Sequence, residues 1–530
     1  METEKRLLLV LAFAILAVVL YQKFFAPPGT MKKGAVKGQA AKVEKAPVSS
    51  AKKAATEKVA PASAPVPAKA SGEGDRGISG GIIILKPVGG KPRSITFSFP
   101  LYKVTLSSRG GVMKSYLLTT YKDDQGNPME LVGDMPYFSY YIPGNKGITE
   151  ALDRSVYKVK VEEGKDKKKV TFLLEMPGKG VMVEKVFTFY PNYRFDVQVK
   201  TSVPGISGEG VLIGPRIAPK DRKSHYSFSG PLVYNGKKAI EVKLKKKRQA
   251  TYTGFVWTSL QSLYFTASLV PKGPAEVTIW KGATKDEYYL ALIAKKGELS
   301  FWSFMGPKDY SLLKSYGVGL EENIRFGVFK ILAKPALEVL KFIYRYVHNY
   351  GWAIIILTIL IKIIFHPLTV KGYKSMNKMQ ELQPYIKQLK ETYKDDPQTL
   401  NKEMMALYKK HKVNPMGGCL PMILQIPVFF ALYKVLMVAI ELRHAPFILW
   451  ITDLSAKDPY YITPILMGVT MLIQQKMTPM GDPTQAKMMM LMPIVFTFIF
   501  INFPSGLVIY WLVNNIITIF EQYLIKTVYA

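Results

Sequence analysis

The sequence predicts a multidomain membrane protein in which an all-β domain outside the bilayer precedes a polytopic α-helical membrane core, with six transmembrane helices in all. Three observations predict it. Apolar residues alternate with polar ones in short runs across residues 78–325, separated by turn signals. Five apolar stretches follow residue 350, and a sixth opens the chain. The 530 residues have a mean hydropathy of only +0.08, so the chain is too long for one ordinary domain and too polar to be wholly intramembrane.

Residues 1–26 read as a transmembrane signal anchor with a basic start at Lys5 and Arg6; Phe24, Ala26, Pro27 and Pro28 form no small-x-small cleavage site. Residues 27–77 are Ala, Lys, Pro, Val and Ser with almost no large apolar side chain, hence a disordered linker. Runs such as 170–174, 185–190, 194–200, 276–280 and 288–294 make 78–325 a large β-domain of two packed sheets. In 326–350, Leu337, Leu340, Ile343, Tyr344 and Val347 recur at helical spacing among Lys334, Lys341 and Arg345. That is an amphipathic helix lying in the membrane interface, or else one packed on the β-domain.

Within 351–530 the spans fall at about 351–370, 419–442, 460–476, 488–503 and 505–525, with a cytoplasmic helical hairpin at 371–413. Orientation follows from the loops. Residues 371–413 carry Lys371, Lys374, Lys378, Lys387, Lys390, Lys394, Lys402, Lys409, Lys410 and Lys412, whereas residues 441–459 offer only Arg443 and Lys457. The lysine-rich loop is therefore cytoplasmic, which puts both termini inside and the β-domain outside.

Composition excludes several functions. A single cysteine, Cys419, forbids an internal disulfide framework, and His225, His348, His366, His411 and His444 lack zinc-site spacing, so no metal or other cofactor is expected. Residues 77–81 fit G-x-S-x-G, but no strand precedes them, and no nucleotide-binding G-x-x-x-x-G-K-[ST] loop occurs, so the chain is not expected to be an enzyme. The net charge of +33 suits anionic lipid or ribosomal RNA, or merely a lysine-rich soluble exterior. No direct DNA binding is expected.

The polar residues inside the spans are the candidate site. Thr358, Lys362 and His366 follow one another at i, i+4 and i+8 on a helix otherwise made of Ile, Leu and Phe. A lysine near a span centre costs about 2.5–3.5 kcal/mol on insertion scales, so Lys362 either snorkels to the cytoplasmic end or lines a hydrated cavity. Gln425, Thr470, Asn514 and Thr518 on other spans are partners for such a cavity, or plain interhelical hydrogen bonds. In the hairpin, Met376, Met379 and Leu382 form one apolar stripe, and Met404 and Leu407 belong to a second. These suit adaptable docking of apolar segments, or a helix-to-helix seam.

The run Asn414, Pro415, Met416, Gly417, Gly418, Cys419, Leu420 and Pro421, followed by Gln425, Ile426, Pro427, Val428 and Phe429, resembles the YidC/Oxa/Alb insertase family. The resemblance is to its bacterial members of the Gram-negative type with a large periplasmic domain. Residues 454–461, 503–507 and 366–369 carry the same resemblance. It implies a periplasmic β-supersandwich, five core helices around a hydrophilic groove open to cytoplasm and lipid, and an inner-membrane location. It further implies a chaperone that inserts and folds integral membrane proteins, alone or beside the Sec translocon, taking nascent membrane proteins from ribosomes. Family members carry an arginine where this chain has Lys362, which keeps the charge without the planar fork. Beside the groove, Phe429, Met467, Met471 and Phe500 are expected to form an apolar flank for the substrate.

The alternative is a polytopic transporter or channel with an intramembrane lysine site. It would call for paired intramembrane charges or two matching broken helices, and neither is expected from the sequence. A sugar enzyme in the β-domain would need two convergent carboxylates, and no such pair is evident.

Overall fold

The computed structural model describes residues 85–176, 180–203, 206, 208–217, 228–244, 248–284, 286–294, 298–414, 420–478 and 489–529. The expected signal anchor (1–26), the linker (27–77), residues 415–419 of the Asn-Pro-Met-Gly-Gly motif and the first residue of the fourth span lie outside the described residues.

Among the described residues the β-domain holds three hydrogen-bonded sheets where two were expected. The first is a meander of β1 (Ser94–Ser98), β2 (Tyr102–Ser107), β3 (Val112–Lys122) and β4 (Pro128–Glu130). The second has the order β13 (Gln249–Thr253), β16 (Glu276–Lys281), β17 (Tyr288–Ala294), β10 (Glu209–Ile213) and β5 (Ser139–Tyr141). The third has nine strands: β12 (Ala239–Glu241), β11 (Gly230–Tyr234), β14 (Trp257–Gln261), β15 (Phe265–Pro271), β18 (Leu299–Pro307), β9 (Arg194–Ser202), β8 (Val181–Phe189), β7 (Lys168–Met176) and β6 (Lys158–Glu163). Register shifts at Thr105/Leu106 and Leu118/Lys122 interrupt the small sheet. Bulges of this kind bend a strand and increase its twist.

Alternation explains the packing. In β7, Val170, Phe172, Leu174 and Met176 point inward; β17 is buried throughout, as a strand covered on both faces must be. Both smaller sheets meet the large one through aromatic rings. Tyr116 of β3 lies 6.2 Å from Phe195, and Phe138, beside β5, meets Phe195 edge-on at 5.6 Å and Phe187 at 5.8 Å. Lys185 occupies an inward position of β8 and is held by the carbonyls of Phe138 (2.7 Å) and Gly110 (3.2 Å). Helix α1 (Lys146–Arg154) covers one edge, capped by the Asn145 side chain on the Ile148 N–H.

Beyond β18 the chain becomes helical: α2 (Tyr310–Ser315), α3 (Lys330–Val347), α4 (Tyr350–Glu381), α5 (Gln383–Thr392), α6 (Pro397–Lys410), α7 (Leu420–Val438), α8 (Ile462–Met477), α9 (Met492–Phe500) and α10 (Ser505–Tyr529). Helix α3 buries Ala333, Leu337, Leu340 and Ile343 and packs against α7, while Ile331, Phe342 and Tyr346 stay exposed. Asn349 caps α4, accepting from the N–H groups of Gly351 and Trp352. Instead of ending near residue 370, α4 continues through Pro367 to Glu381. Among the described residues, α4 and α10 are the helices long and apolar enough to cross a membrane. Helix α8, with 16 residues, reaches only about 24 Å at 1.5 Å per residue.

Residues 371–414 form one compact unit, and the β-domain with the remaining helices another. Inside the hairpin unit, α5 starts with Pro384 in its first turn, and α6 is capped by Asp396 on the N–H groups of Gln398 and Thr399. Leu382, Ile386 and Val413 are buried there, with Met379, Met404, Leu407 and Tyr408 packed around them.

Candidate functional site

Helices α4 and α10 bring the charged residues together. Lys362 and His366, one turn apart on α4, face Thr518 and Glu521 on α10. Lys362 is 7% exposed and Glu521 6%. The Lys362 ammonium donates to Thr518 Oγ1 at 2.6 Å and stands 3.6 Å from Glu521 Oε2, and His366 Nδ1 lies 3.0 Å from Glu521 Oε1. Thr518 in turn donates to the Asn514 carbonyl at 2.6 Å, and the Gln425 amide on α7 donates to Asn514 Oδ1 at 2.8 Å. A cavity of about 20 Å³ adjoins the lysine, lined by Ile361, Lys362, Phe365, Leu368, Thr369 and Gln425. That is room for about one water molecule, and its walls carry the polar partners a water needs.

Thr358, Lys362, Gln425, Asn514 and Thr518 thus border one seam, although Thr358 returns its hydroxyl to the Ile354 carbonyl of its own helix. Thr470 lies elsewhere. It donates to the Met467 carbonyl and accepts from Asn515 Nδ2 at 3.3 Å, a second polar cluster between α8 and α10 that Gln522 extends to Thr478. Adjacent residues on a helix point about 100° apart, so Asn514 and Asn515 serve different neighbours.

Glu521 corrects the expectation that the membrane region has no paired charges. Its signal was present in the sequence, because Asn514, Thr518 and Glu521 are spaced i, i+4, i+7 on one helical face. The four residues expected as an apolar flank separate. Phe429 and Met471 are partly exposed, but Met467 is 0% and Phe500 4% exposed. Phe500 packs on Trp511 (5.1 Å) and Phe503 (4.9 Å), and Met467 turns toward α10 because Asn515 anchors that face of α8. The outward apolar surface is instead Ile465, Val469, Ile473 and Phe498. In the hairpin, Met379, Leu382, Met404 and Leu407 line the seam between helices, and Met376 is partly exposed on α4.

The 454–461 and 503–507 runs also meet. Asp458 is buried and caps α8, accepting from the Thr463 N–H and hydroxyl, both at 2.7 Å, and from the Tyr460 N–H at 3.0 Å. Burial alone would raise its carboxyl, but these donors hold it below the ordinary carboxylate range. Ser505 donates through its N–H and hydroxyl to the Ala456 carbonyl, and the Gly506 N–H reaches Leu454 O at 2.9 Å. The turn before α10 is thereby tied to the loop before α8.

Fold and site define a helical membrane protein that carries a large β-domain and a buried Lys–Glu pair between two of its helices. The family described as 60Kd inner membrane protein matches residues 342–530, and the YidC periplasmic domain matches residues 94–339. A membrane protein insertase YidC of Syntrophus aciditrophicus is 46% identical over 474 residues, covering 83% of this chain and 86% of the relative. Another, of Geobacter metallireducens, is 41% identical over 560 residues and covers 99% of both. A solved structure titled as an active YidC insertase with its first transmembrane domain resolved is 20% identical, covering 83% of this chain and 95% of that one at a TM-score of 0.38. The chain belongs to the YidC family of membrane protein insertases.

Proposed function

We propose that this chain inserts and folds nascent membrane proteins in the inner membrane by noncovalent means, using the Lys362 seam as the polar half of a passage. The single observation that carries the reading is a buried ammonium set among hydroxyl, amide and carboxylate groups between two apolar helices. A substrate's polar tail must cross a hydrocarbon layer about 30 Å thick, and polar groups within the leaflet shorten the apolar part of that path. Lys362 and its polar neighbours receive polar groups of the tail, and the substrate's own apolar segment leaves past Phe429, Met471 and the outward faces of α8 and α9. Burial of that segment and the membrane potential supply the driving force, which requires no nucleotide.

The proposed topology has six spans with both termini cytoplasmic. It is supported by the lysine-rich hairpin and by Arg443, in the loop after α7, which donates to the Lys122 carbonyl of the β-domain at 2.5 Å. Loop and β-domain then share one side of the bilayer. Helix α3, apolar on both its buried and its Ile331–Phe342–Tyr346 faces and flanked by lysines, fits the membrane interface and anionic lipid. Ribosomes and the Sec translocon are the further proposed partners, met on the hairpin side and within the membrane respectively. A transporter would use the same buried pair, but a relationship to insertases over the whole length of the chain decides against it.

The test is insertion of a short acidic-tailed membrane protein into liposomes that contain the purified chain. Insertion above protein-free vesicles that Lys362→Ala abolishes is the expected result. Equal insertion by both chains would remove the lysine from the mechanism, and no insertion by either would refute the reading.

A further inference from the structure

The Lys362 ammonium already has an anion beside it. Its three N–H groups include one given to Thr518, while Glu521 Oε2 at 3.6 Å is near enough to neutralise the charge and too far to take up a hydrogen bond. The other carboxylate oxygen is held by His366 Nδ1 at 3.0 Å, so Glu521 has a second support on the same helix as the lysine. The 20 Å³ cavity lies on Lys362 as well, walled by Gln425 and Thr369, where a further polar group can approach the ammonium. A second carboxylate cannot simply add to the pair. Lys362 and Glu521 sum to zero charge, and another anion would leave a net negative charge in a buried site, which low dielectric penalises heavily.

We propose that Glu521 is the resident counter-ion of this groove and sets its selectivity: an acidic group of an entering chain gains Lys362 only by displacing the Glu521 carboxylate. The exchange is feasible because the displaced carboxylate keeps His366, and the ammonium keeps Thr518. In the resting protein the seam is electrically neutral, so acidic and neutral tails are treated nearly alike. Glu521 is therefore a specificity-determining residue, and this assignment rests on the insertase reading above.

The test uses the full chain in liposomes and two single-span substrates that differ only in Asp or Asn residues in the tail, read as the acidic-to-neutral insertion ratio. Glu521→Gln frees the ammonium and should raise the ratio about tenfold, the scale on which one neighbouring charge shifts a carboxylate equilibrium. Lys362→Ala removes the cation, and the buried Glu521 carboxyl then takes up a proton, so this variant and the double variant should both fall to the protein-free ratio. A ratio within twofold of the unaltered chain for Glu521→Gln overturns the proposal. Thermal unfolding in detergent reports whether each variant folds; if Glu521→Gln does not, Glu521→Leu, similar in size and uncharged, is read against the same tenfold rise. Binding of the acidic tail peptide to the detergent-purified chains separates the two readings. If the unaltered chain inserts nothing, the insertase reading fails by itself, while tighter peptide binding by Glu521→Gln supports the counter-ion assignment and equal binding overturns it.

Discussion

Replacing Lys341 by methionine should loosen the junction between the β-domain and the membrane helices. Lys341 of α3 reaches Asp309 Oδ2 at 2.9 Å, Ser311 Oγ at 3.1 Å and Glu441 Oε1 at 3.0 Å, and so joins the start of α2, α3 and the turn after α7. Burial would lower its ionisation, but Glu441 and Asp309 outweigh that and hold the ammonium above its usual range. The side chains of Lys341, Asp309 and Glu441 are 20%, 24% and 8% exposed. Removing one member of a fully buried pair costs about 3–5 kcal/mol, and the partial exposure here reduces that to roughly 2–3 kcal/mol. Local opening should then become about 30- to 150-fold more frequent. Hydrogen exchange of the full-length protein reads this at residues 309–316 and 440–445, with Lys341→Arg as the charge-preserving control. Exchange within threefold of the unaltered chain in both segments would refute the reasoning.

Two other outcomes follow from the packing and from a buried acid. Glu209 on β10 is 3% exposed, neither of its carboxylate oxygens has a hydrogen-bond partner among the described residues, and burial pushes its carboxyl up to about 7. Below an ordinary pKa near 4.5 both folded and unfolded chains hold the proton; between 4.5 and about 7 the unfolded chain has released it while the folded chain keeps it, so the β-domain loses roughly 3 kcal/mol across that window and no more above it. Faster exchange of β10 amides at pH 8 than at pH 5, after correction for intrinsic rates, should vanish in Glu209→Gln; an unchanged pH dependence in that variant would exclude Glu209 as its source. Gly468→Ala on α8 puts a methyl 2.1 Å from Thr497 Oγ1 on α9, an overpacking worth about 1–3 kcal/mol. Thermal unfolding in detergent should fall in the single variant and largely recover with Thr497→Ala added; no fall in the single variant would mean the helices separate freely there.

Local pattern made part of this molecule legible. The alternation of Val170, Phe172 and Leu174, or of Val183 with Phe187, is a property of neighbouring residues, and the strands form where it occurs. The same pattern does not say how many sheets result, because β3 pairs with β4 or ends according to bulges and distant partners. Pro367 removes one helical hydrogen bond, yet α4 passes through it and on to Glu381: the flanking turns keep theirs, and Thr369 returns a hydroxyl to Phe365 at 3.2 Å.

Helical spacing fixes which residues share a face and leaves open where that face points. Lys362 and His366, or Thr518 and Glu521, are readable as pairs on their own helices. That the two pairs oppose each other depends on the rotation of α4 against α10, which no single turn encodes. The same indeterminacy turned Met467 inward while Ile465 and Val469 face out. Its consequence for the site is chemical. A lysine read alone in a span is an unpaired charge that waits for a substrate anion, whereas a lysine opposite Glu521 is half of a neutral pair whose opening depends on what competes for it. Selectivity in this chain therefore resides in the contact between two helices and not in the cation by itself.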